Sequence, residues 1–220
     1  DADPPVRVDH TDGAGASVDL PDLLAEGEIR GDLHTHTEWS DGANTIAEMV
    51  RGAADRGYEY HCVTDHAEGP GVFGDTGLTD EEVHEQAEAV AAVREDADID
   101  VFHGVEANID ADGEVTTSDD LLADLDIVIA SPHAALDQGE ATDRLIRAVE
   151  HPHVDVLGHP TGRLINQRPG LEVDFERLAE AAVAADTALE VNANPARLDL
   201  HGDAVLAAVE AGATIAINTD

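Results

Sequence analysis

Lysine is absent from this chain of 220 residues, whose eleven basic residues are all arginine, against 49 acidic residues and a formal net charge of −38. In ordinary salt such a charge disfavours nucleic-acid binding, because affinity for DNA depends largely on cations that contact phosphate. It is typical of a protein that works in molar salt, where a Debye length of roughly 3 Å screens self-repulsion. The composition therefore predicts a halophilic cytoplasm. A cleft that binds an anion would therefore need bound metal ions or nearby arginines to make its electrostatic potential positive.

Cysteine and aromatic residues are also scarce. Cys62 is the single cysteine, which excludes an intramolecular disulfide and a thiolate metal cluster and suits a reducing cytoplasm. The sequence has no apolar run of the roughly 18 residues that a transmembrane helix needs and no signal peptide, so we expect a cytoplasmic protein with no membrane contact. Disorder is excluded for most of the chain, because 42% of its residues are hydrophobic and they cluster in short runs.

Two regions differ in their pattern. Residues 1–27 are rich in Asp, Pro and Gly at their start and have no period, which predicts a linker or the tail of an upstream region. From Ile29 onward, apolar strand-like runs alternate with helical spacing. The predicted strands lie near 29–34, 58–65, 101–106, 126–132, 154–158, 187–193 and 213–219. The predicted helices lie near 44–56, 79–96, 118–124, 140–150, 174–185 and 202–211. This alternation predicts an α/β fold with a parallel sheet, and seven such units favour a barrel.

Side chains that bind metals follow six of the seven predicted strands. They are His34, His36 and Asp41, then His66, Glu106, His133, His159 and Asp220. Alternate positions on the first strand would put His34 and His36 on one face. Barrel enzymes build their active sites at the carboxyl ends of their strands. Convergence of so many histidines and carboxylates therefore predicts a site for zinc, manganese or iron.

The other polar candidates have plainer readings. Arg163, Arg168 and Arg197 follow strand ends, where they either grip a phosphate or pair with surface acids. His61 and His103 fall within strands and are predicted to be hydrogen-bonded core residues. Asp65 either orients its neighbour His66 or caps a turn. The glycine-rich stretch 69–77 lacks P-loop spacing and is predicted to be a mobile flap beside the second strand.

The motifs "DLHTHT", "SDG", "TDH", "GVE", "SPH", "GHP" and "NTD" together resemble the PHP domain, the polymerase and histidinol phosphatase superfamily. "LGHPTGRLINQRPG" and "EVNANPARLDL" are similar to the C-terminal PHP domain of bacterial and archaeal family X DNA polymerases. The resemblance implies a distorted seven-stranded (β/α)7 TIM-like barrel over residues 28–220. It also implies that residues 1–27 join a missing polymerase region. Since the family pattern ends in Asp-X-His, the domain is expected to be truncated just after Asp220.

The same resemblance implies the site and its chemistry. Two to three divalent ions of zinc, manganese or iron would be held by His34, His36, Asp41, His66, Glu106, His133, His159 and Asp220. Asp41, His66, Glu106 and Asp220 are the predicted catalytic residues, and Arg163 and Arg197 are predicted to bind substrate. The implied function is a metal-dependent phosphoesterase that acts on DNA 3′ ends as a 3′-5′ exonuclease in repair. A histidinol-phosphatase-like enzyme for small phosphate monoesters and a non-catalytic structural module remain the alternatives.

Overall fold

A computed structural model describes residues 24–71, 76–137 and 140–220 of the chain. The predicted linker lies mostly outside the described residues, as do residues 72–75 of the glycine-rich stretch that was predicted to be a flap. No helix within the described ranges is long and apolar enough to cross a membrane.

Seven parallel strands form a single sheet whose spatial order is the order of the sequence. The strands are β1 (Gly31–Asp32), β2 (Tyr60–Val63), β3 (Asp100–Asn108), β4 (Ile127–Ser131), β5 (Val156–Leu157), β6 (Ala188–Asn192) and β7 (Ile215–Asn218). Near the carboxyl ends of β1 and β7, the amide of Asp220 donates to the carbonyl of His34 at 3.0 Å. The sheet therefore curls into a nearly closed barrel, as predicted.

In the described part of the chain, six α-helices follow the strands on the outside of the barrel. They are α1 (Ile46–Asp55), α2 (Asp80–Arg94), α3 (Asp119–Leu122), α4 (Thr142–Val149), α5 (Phe175–Ala185) and α6 (Gly202–Ala211). Thr45 and Thr79 begin α1 and α2 with capping boxes, in which the threonine and the glutamate three residues later satisfy each other's backbone amides. Every predicted helix and strand exists.

Buried aliphatic side chains from the strands and from the inner faces of the helices form the main core, which includes Val105, Leu145, Leu157, Leu178 and Leu189. Helices thus cover the outside of the barrel, while its carboxyl-terminal end is filled by polar side chains. This division places the polar groups where parallel barrels carry their chemistry.

Two strand predictions need correction. β1 ends at Asp32, so His34 and His36 lie in the segment after the strand and not on it. The carboxylate of Asp32 accepts the amide of His34 at 3.2 Å, a local bond that competes with the strand ladder. β3 is longer than predicted and runs to Asn108, so Glu106 lies inside it and points into the barrel end.

Candidate metal centre

Glu106 lies at the centre of the polar cluster, with its side chain fully buried in the described structure. Its Oε1 atom lies 3.3 Å from His34 Nε2, 3.2 Å from His133 Nε2 and 2.9 Å from His159 Nε2. Its Oε2 atom lies 2.7 Å from His66 Nδ1 and 3.6 Å from His36 Nε2. One carboxylate from β3 therefore faces all five predicted histidine ligands.

The two remaining carboxylates flank this cluster. Asp220 Oδ1 lies 3.0 Å from His36 Nε2, and its Oδ2 accepts from the amide nitrogen of Asn192 at 2.7 Å. Asp41 Oδ2 lies 3.6 Å from His66 Nε2, and 54% of the Asp41 side chain is exposed. The structure therefore brings all eight predicted metal ligands together.

The local backbone lets His159 approach so closely. Its φ of 24° is in the left-handed region that non-glycine residues rarely occupy. A side chain at the preceding Gly158 would collide with the hydroxyl of Ser131 and with Ile129. The small residue and the unusual backbone angle together position the imidazole against Glu106, and such conformations are typical of functional sites.

Unpaired atoms indicate what the cluster can hold. Among the described side chains, several buried atoms that make no hydrogen bond belong to predicted ligands: His34 Nε2, His36 Nδ1, His66 Nδ1, Glu106 Oε2, His133 Nε2 and His159 Nδ1. His66 Nδ1 and Glu106 Oε2 lie 2.7 Å apart, but they do not have the geometry of a hydrogen bond. Buried polar atoms normally have partners, so this concentration needs an explanation. Three sets of ligand atoms lie within 4.8 Å of one another: His34, His36, Glu106 and Asp220; His36, Asp41 and His66; and His66, Glu106 and His133. Nitrogen and carboxylate donors in such sets fit divalent metal ions.

The electrostatics agree with a site for cations. Burial lowers the pKa of the His66 imidazole, but the carboxylates of Glu106 and Asp41 outweigh it and raise that pKa to about 10. Burial also lowers the pKa of His34, but the carboxylates of Glu190 and Glu106 raise it well above its usual value. Burial raises the pKa of Glu106, but the surrounding histidines hold it well below its usual range. Without metal the carboxylates therefore retain protons on His34 and His66, and divalent ions would replace those protons.

Two residues behind the ligands fix their orientation. Glu190, fully buried on β6, accepts from His34 Nδ1 at 2.8 Å and from the backbone amide of His159 at 2.6 Å. Asn108, at the end of β3, accepts from His133 Nδ1 at 2.7 Å and donates to the carbonyl of Ala67 at 2.9 Å. In both cases Nδ1 carries the proton, which leaves Nε2 free as a metal ligand.

Sequence reasoning missed Glu190 and Asn108, although one signal was available. The sixth strand was the only predicted strand without a ligand at its end, yet "LEVN" carries an acid among strand residues. Alternation along β6 places Glu190 and Asn192 on the same face, towards the cluster. A lone carboxylate in an otherwise apolar, inward-facing strand needs such partners.

Asp65 holds the loop that carries Asp41. Its carboxylate is fully buried and accepts from the amide and the hydroxyl of Thr37, each at 2.7 Å, from the hydroxyl of Ser40 at 2.5 Å and from Gln86 Nε2 at 2.7 Å. Because His66 follows Asp65 directly, one carboxylate fixes the distance between two predicted ligands. Both roles foreseen for Asp65, fixing a turn and orienting a ligand, are therefore consistent with its contacts.

A cavity of about 740 Å³ opens beside the cluster, lined among others by His66, His133, Asp220, Arg168, Asn194 and Arg197. Arg197 Nε lies 3.1 Å from Asp220 Oδ2. Arg168 donates to the carbonyl of Gly162, and burial together with the nearby charge of Arg197 lowers its pKa. Two guanidinium groups at one cavity form a site suited to an anion.

Arg163 is placed differently from the other two arginines. Its guanidinium donates to the backbone carbonyls of Arg197, at 2.7 Å, and Leu198, and it is not among the residues that line the 740 Å³ cavity. Arg163 therefore ties together the loops after β5 and β6. Its predicted contact with substrate stays a prediction.

The two histidines predicted to be structural lie away from the centre. His61 is buried on β2 beside the hydroxyl of Thr35, at 3.2 Å, and His103 is buried on β3 beside the side-chain oxygen of Gln86, at 3.1 Å. Burial lowers the pKa of each to about 4. Both are thus neutral core histidines at pH 7, as their positions within strands predicted.

Comparisons with known proteins match this geometry. The family model for the PHP domain matches residues 32–194. The DNA polymerase/3′-5′ exonuclease PolX of Bacillus subtilis is 45% identical over 205 residues, which span 92% of this chain and 36% of that protein. A probable phosphatase of Caldanaerobacter subterraneus is 34% identical over 174 residues, which span 73% of this chain and 61% of that protein. The chain therefore spans less than two thirds of either relative.

A solved structure resembles the fold. The crystal structure of a histidinol phosphate phosphatase from Lactococcus lactis, in complex with zinc, L-histidinol and phosphate, superimposes with a TM-score of 0.62 at 18% identity. The match covers 87% of this chain and 85% of that one. At this identity the likeness shows the barrel fold.

Proposed function

Because the chain belongs to the PHP domain family, we propose that its histidine and carboxylate cluster is a divalent metal centre that hydrolyses phosphoester bonds. The observation that carries the proposal is the arrangement around Glu106, where predicted ligands leave buried nitrogen and oxygen atoms unpaired beside an open cavity. Zinc, manganese and iron all suit these donors, and two to three ions match the three ligand sets.

Divalent ions at such a site lower the pKa of a coordinated water towards neutrality and stabilise negative charge on phosphoryl oxygens. The chain's own residues supply the remainder. His34, His36, His66, His133 and His159 would hold the ions, and Asp41, Glu106 and Asp220 would balance their charge. Glu190 and Asn108 keep the ligand histidines in the tautomer that exposes Nε2. Asp41 and His66, the ligands at the open side, are placed to exchange a proton with the cavity.

Arginines at the cavity would bind the substrate phosphate. Arg197 and Arg168 line the cavity, where a bidentate guanidinium contact would orient a phosphoester against the metal ligands. Arg163 stays in the proposal as a predicted substrate-binding residue, and its hydrogen bond to the carbonyl of Arg197 would also fix the loop that carries Arg197. Local positive charge of this kind is what an anionic substrate requires on a chain with a net charge of −38.

For the substrate we propose DNA 3′ ends, with the chain acting as the 3′-5′ exonuclease part of a family X polymerase in the cytoplasm. The support is the 45% identity to a protein named DNA polymerase/3′-5′ exonuclease, over 92% of this chain. That relative is much longer, so the polymerase activity and the upstream polymerase region as a partner are part of the proposal.

A small phosphate monoester is the second candidate substrate. The relative from Caldanaerobacter subterraneus is named a probable phosphatase, and the solved neighbour carries histidinol and phosphate. A non-catalytic structural module is a weaker reading, because every predicted ligand position in the chain holds a residue able to bind metal.

The test is hydrolysis with Mn²⁺ in high salt, comparing a 3′-labelled DNA strand with histidinol phosphate. His36→Ala serves as the inactive control, and His84→Ala, an exposed change on α2, as the matched neutral control. Release of nucleotides from DNA supports the exonuclease, and cleavage of the monoester alone supports the phosphatase. If neither substrate is cleaved and less than one ion binds per chain, the structural module is the remaining explanation.

A further inference from the structure

The two ends of the metal cluster differ in the group that stands behind the ligand histidine. At one end, His34 Nδ1 donates to the carboxylate of Glu190 at 2.8 Å. At the other end, His133 Nδ1 donates to the amide oxygen of Asn108 at 2.7 Å. The hydrogen bonds are of similar length, so the difference between the two ends is one of charge.

A carboxylate behind a ligand histidine does more than orient the ring. It makes the imidazole more basic and hence a stronger metal ligand, while a neutral amide only fixes the tautomer. Glu190 is held firmly in this position, because it also accepts from the backbone of His159 at 2.6 Å and from the side chain of Asn218 at 2.9 Å. Its charge is therefore available to His34 without reorganisation.

Burial separates His34 from the other ligands. Its side chain is fully buried, whereas His133 and His66 are 11% and 15% exposed and His36 and Asp220 are 9% and 11% exposed. His66 and His133 line the 740 Å³ cavity, and His34 does not. His36 and Asp220 line the same cavity, so solvent reaches ligands of both sets, whereas His34 and its partner Glu190 lie away from it.

We infer that the centre holds its ions with graded affinity, and that Glu190 and Asn108 set the gradation. The ion held by His34, His36, Glu106 and Asp220 is retained. The ion held by His66, Glu106 and His133 exchanges with solvent through the cavity. This inference rests on the metal centre of the proposed function, and it is independent of the reaction catalysed there.

Reciprocal changes of nearly equal size test it. Glu190→Gln removes the charge behind His34, and Asn108→Asp adds one behind His133. The metal-free protein is titrated with Mn²⁺ at pH 7.5, and the free ion is measured from its electron paramagnetic resonance signal. Repulsion between neighbouring ions also makes successive ions bind with different affinities. The wild-type titration therefore serves only as the reference, and the changes seen in the two variants test the inference.

We expect Glu190→Gln to raise the dissociation constant of the tightest ion by about 10- to 100-fold and to leave the weakest ion unchanged. Asn108→Asp should tighten the ion held with His133, which is one of the weaker steps, and leave the tightest unchanged. The inference is overturned if Glu190→Gln alters only the weakest step or no step, or if Asn108→Asp tightens the already tight ion.

Folding of each variant is checked by circular dichroism. If Glu190→Gln does not fold, the Mn²⁺ titration is repeated with Asn108→Ala. A higher dissociation constant for the ion held with His133 supports the inference, and an unchanged one refutes it. The measurement reports binding alone. Graded binding without hydrolysis would therefore refute the proposed function and leave this inference standing, whereas hydrolysis with ungraded binding would refute only this inference.

Discussion

The role of Asp65 allows a prediction whose size follows from its contacts. Asp65→Asn keeps the shape of the side chain but replaces one acceptor oxygen by an NH₂ group. Four donors converge on the carboxylate, two on each oxygen: the amide of Thr37 and the hydroxyl of Ser40 on Oδ1, the hydroxyl of Thr37 and the amide of Gln86 on Oδ2. Either orientation of the asparagine loses two of these bonds and places donors against donors.

Hydrogen bonds to charged groups contribute about 1.5–3 kcal/mol each, so two lost bonds correspond to about 3–6 kcal/mol. A hydroxyl can turn and accept, which recovers part of this, and we expect the free energy of unfolding to fall by about 3 kcal/mol. The loop from Thr37 to Asp41 would loosen at the same time. The ion shared by His36, Asp41 and His66 should therefore be lost.

Urea unfolding in the presence of chelator measures the first effect, and elemental analysis after dialysis against Mn²⁺ measures the second. Asp110→Asn is the matched control, because Asp110 accepts two backbone amides through one oxygen in an exposed turn, and the amide oxygen of asparagine keeps both bonds. It should change stability by less than about 0.5 kcal/mol. The reasoning is refuted if Asp65→Asn costs less than about 1 kcal/mol and keeps its full metal content.

Three further predictions concern the ligands, the cavity and pH. His36→Ala should lower kcat/KM on the preferred substrate by about 100-fold or more, because it removes a ligand from two of the three sets, and an unchanged rate would exclude the proposed centre. Arg168→Gln should raise KM and leave kcat nearly unchanged, because it removes a phosphate contact made equally in the ground state and the transition state. Steady-state kinetics would measure both, and a lower kcat with an unchanged KM would contradict the prediction. The pKa of His61 and His103 is about 4 when folded and near 6.5 when unfolded, so the unfolded chain binds more protons between these values. Their contribution to stability is therefore present above pH 6.5 and lost as the pH falls towards 4, by about 2 kcal/mol per histidine between pH 7 and 5. Urea unfolding of the wild type and His103→Gln at both pH values would show this, and equal pH dependence in the two proteins would contradict it.

The fold was predictable because its signals are local and repeated. Most helices of this barrel have an amphipathic spacing and most strands an apolar run, with α3 and β1 too short for either, and these local patterns can be read without knowledge of the partner elements. The ligands were predictable for a related reason: residues after parallel strands meet at one end of a barrel, whatever the loop lengths between them.

The missed features depend on contacts between distant segments. Glu190 supports His34 from 156 residues away, and no periodicity links the two positions. The loops after β5 and β6 have no repeat at all, so the sequence could not show that Arg168 would line the cavity while Arg163 binds backbone carbonyls. The end of β1 was misjudged because a side chain, Asp32, takes the amide of His34.

The bond between the loops after β1 and β7 has a consequence for the order of events during synthesis. His36 and Asp220 are 184 residues apart, and their atoms meet at 3.0 Å only when the first and last strands of the barrel are both in place. A nascent chain that has emerged as far as β6 therefore offers histidines without this closing carboxylate. The ion held by His34, His36, Glu106 and Asp220 can therefore bind fully only after β7 has formed, and the entropic cost of closing so long a loop makes this contact slow to form. The concentration of divalent ions should thus affect the fraction of chains that complete the barrel and have little effect on the rate at which the early βα units form.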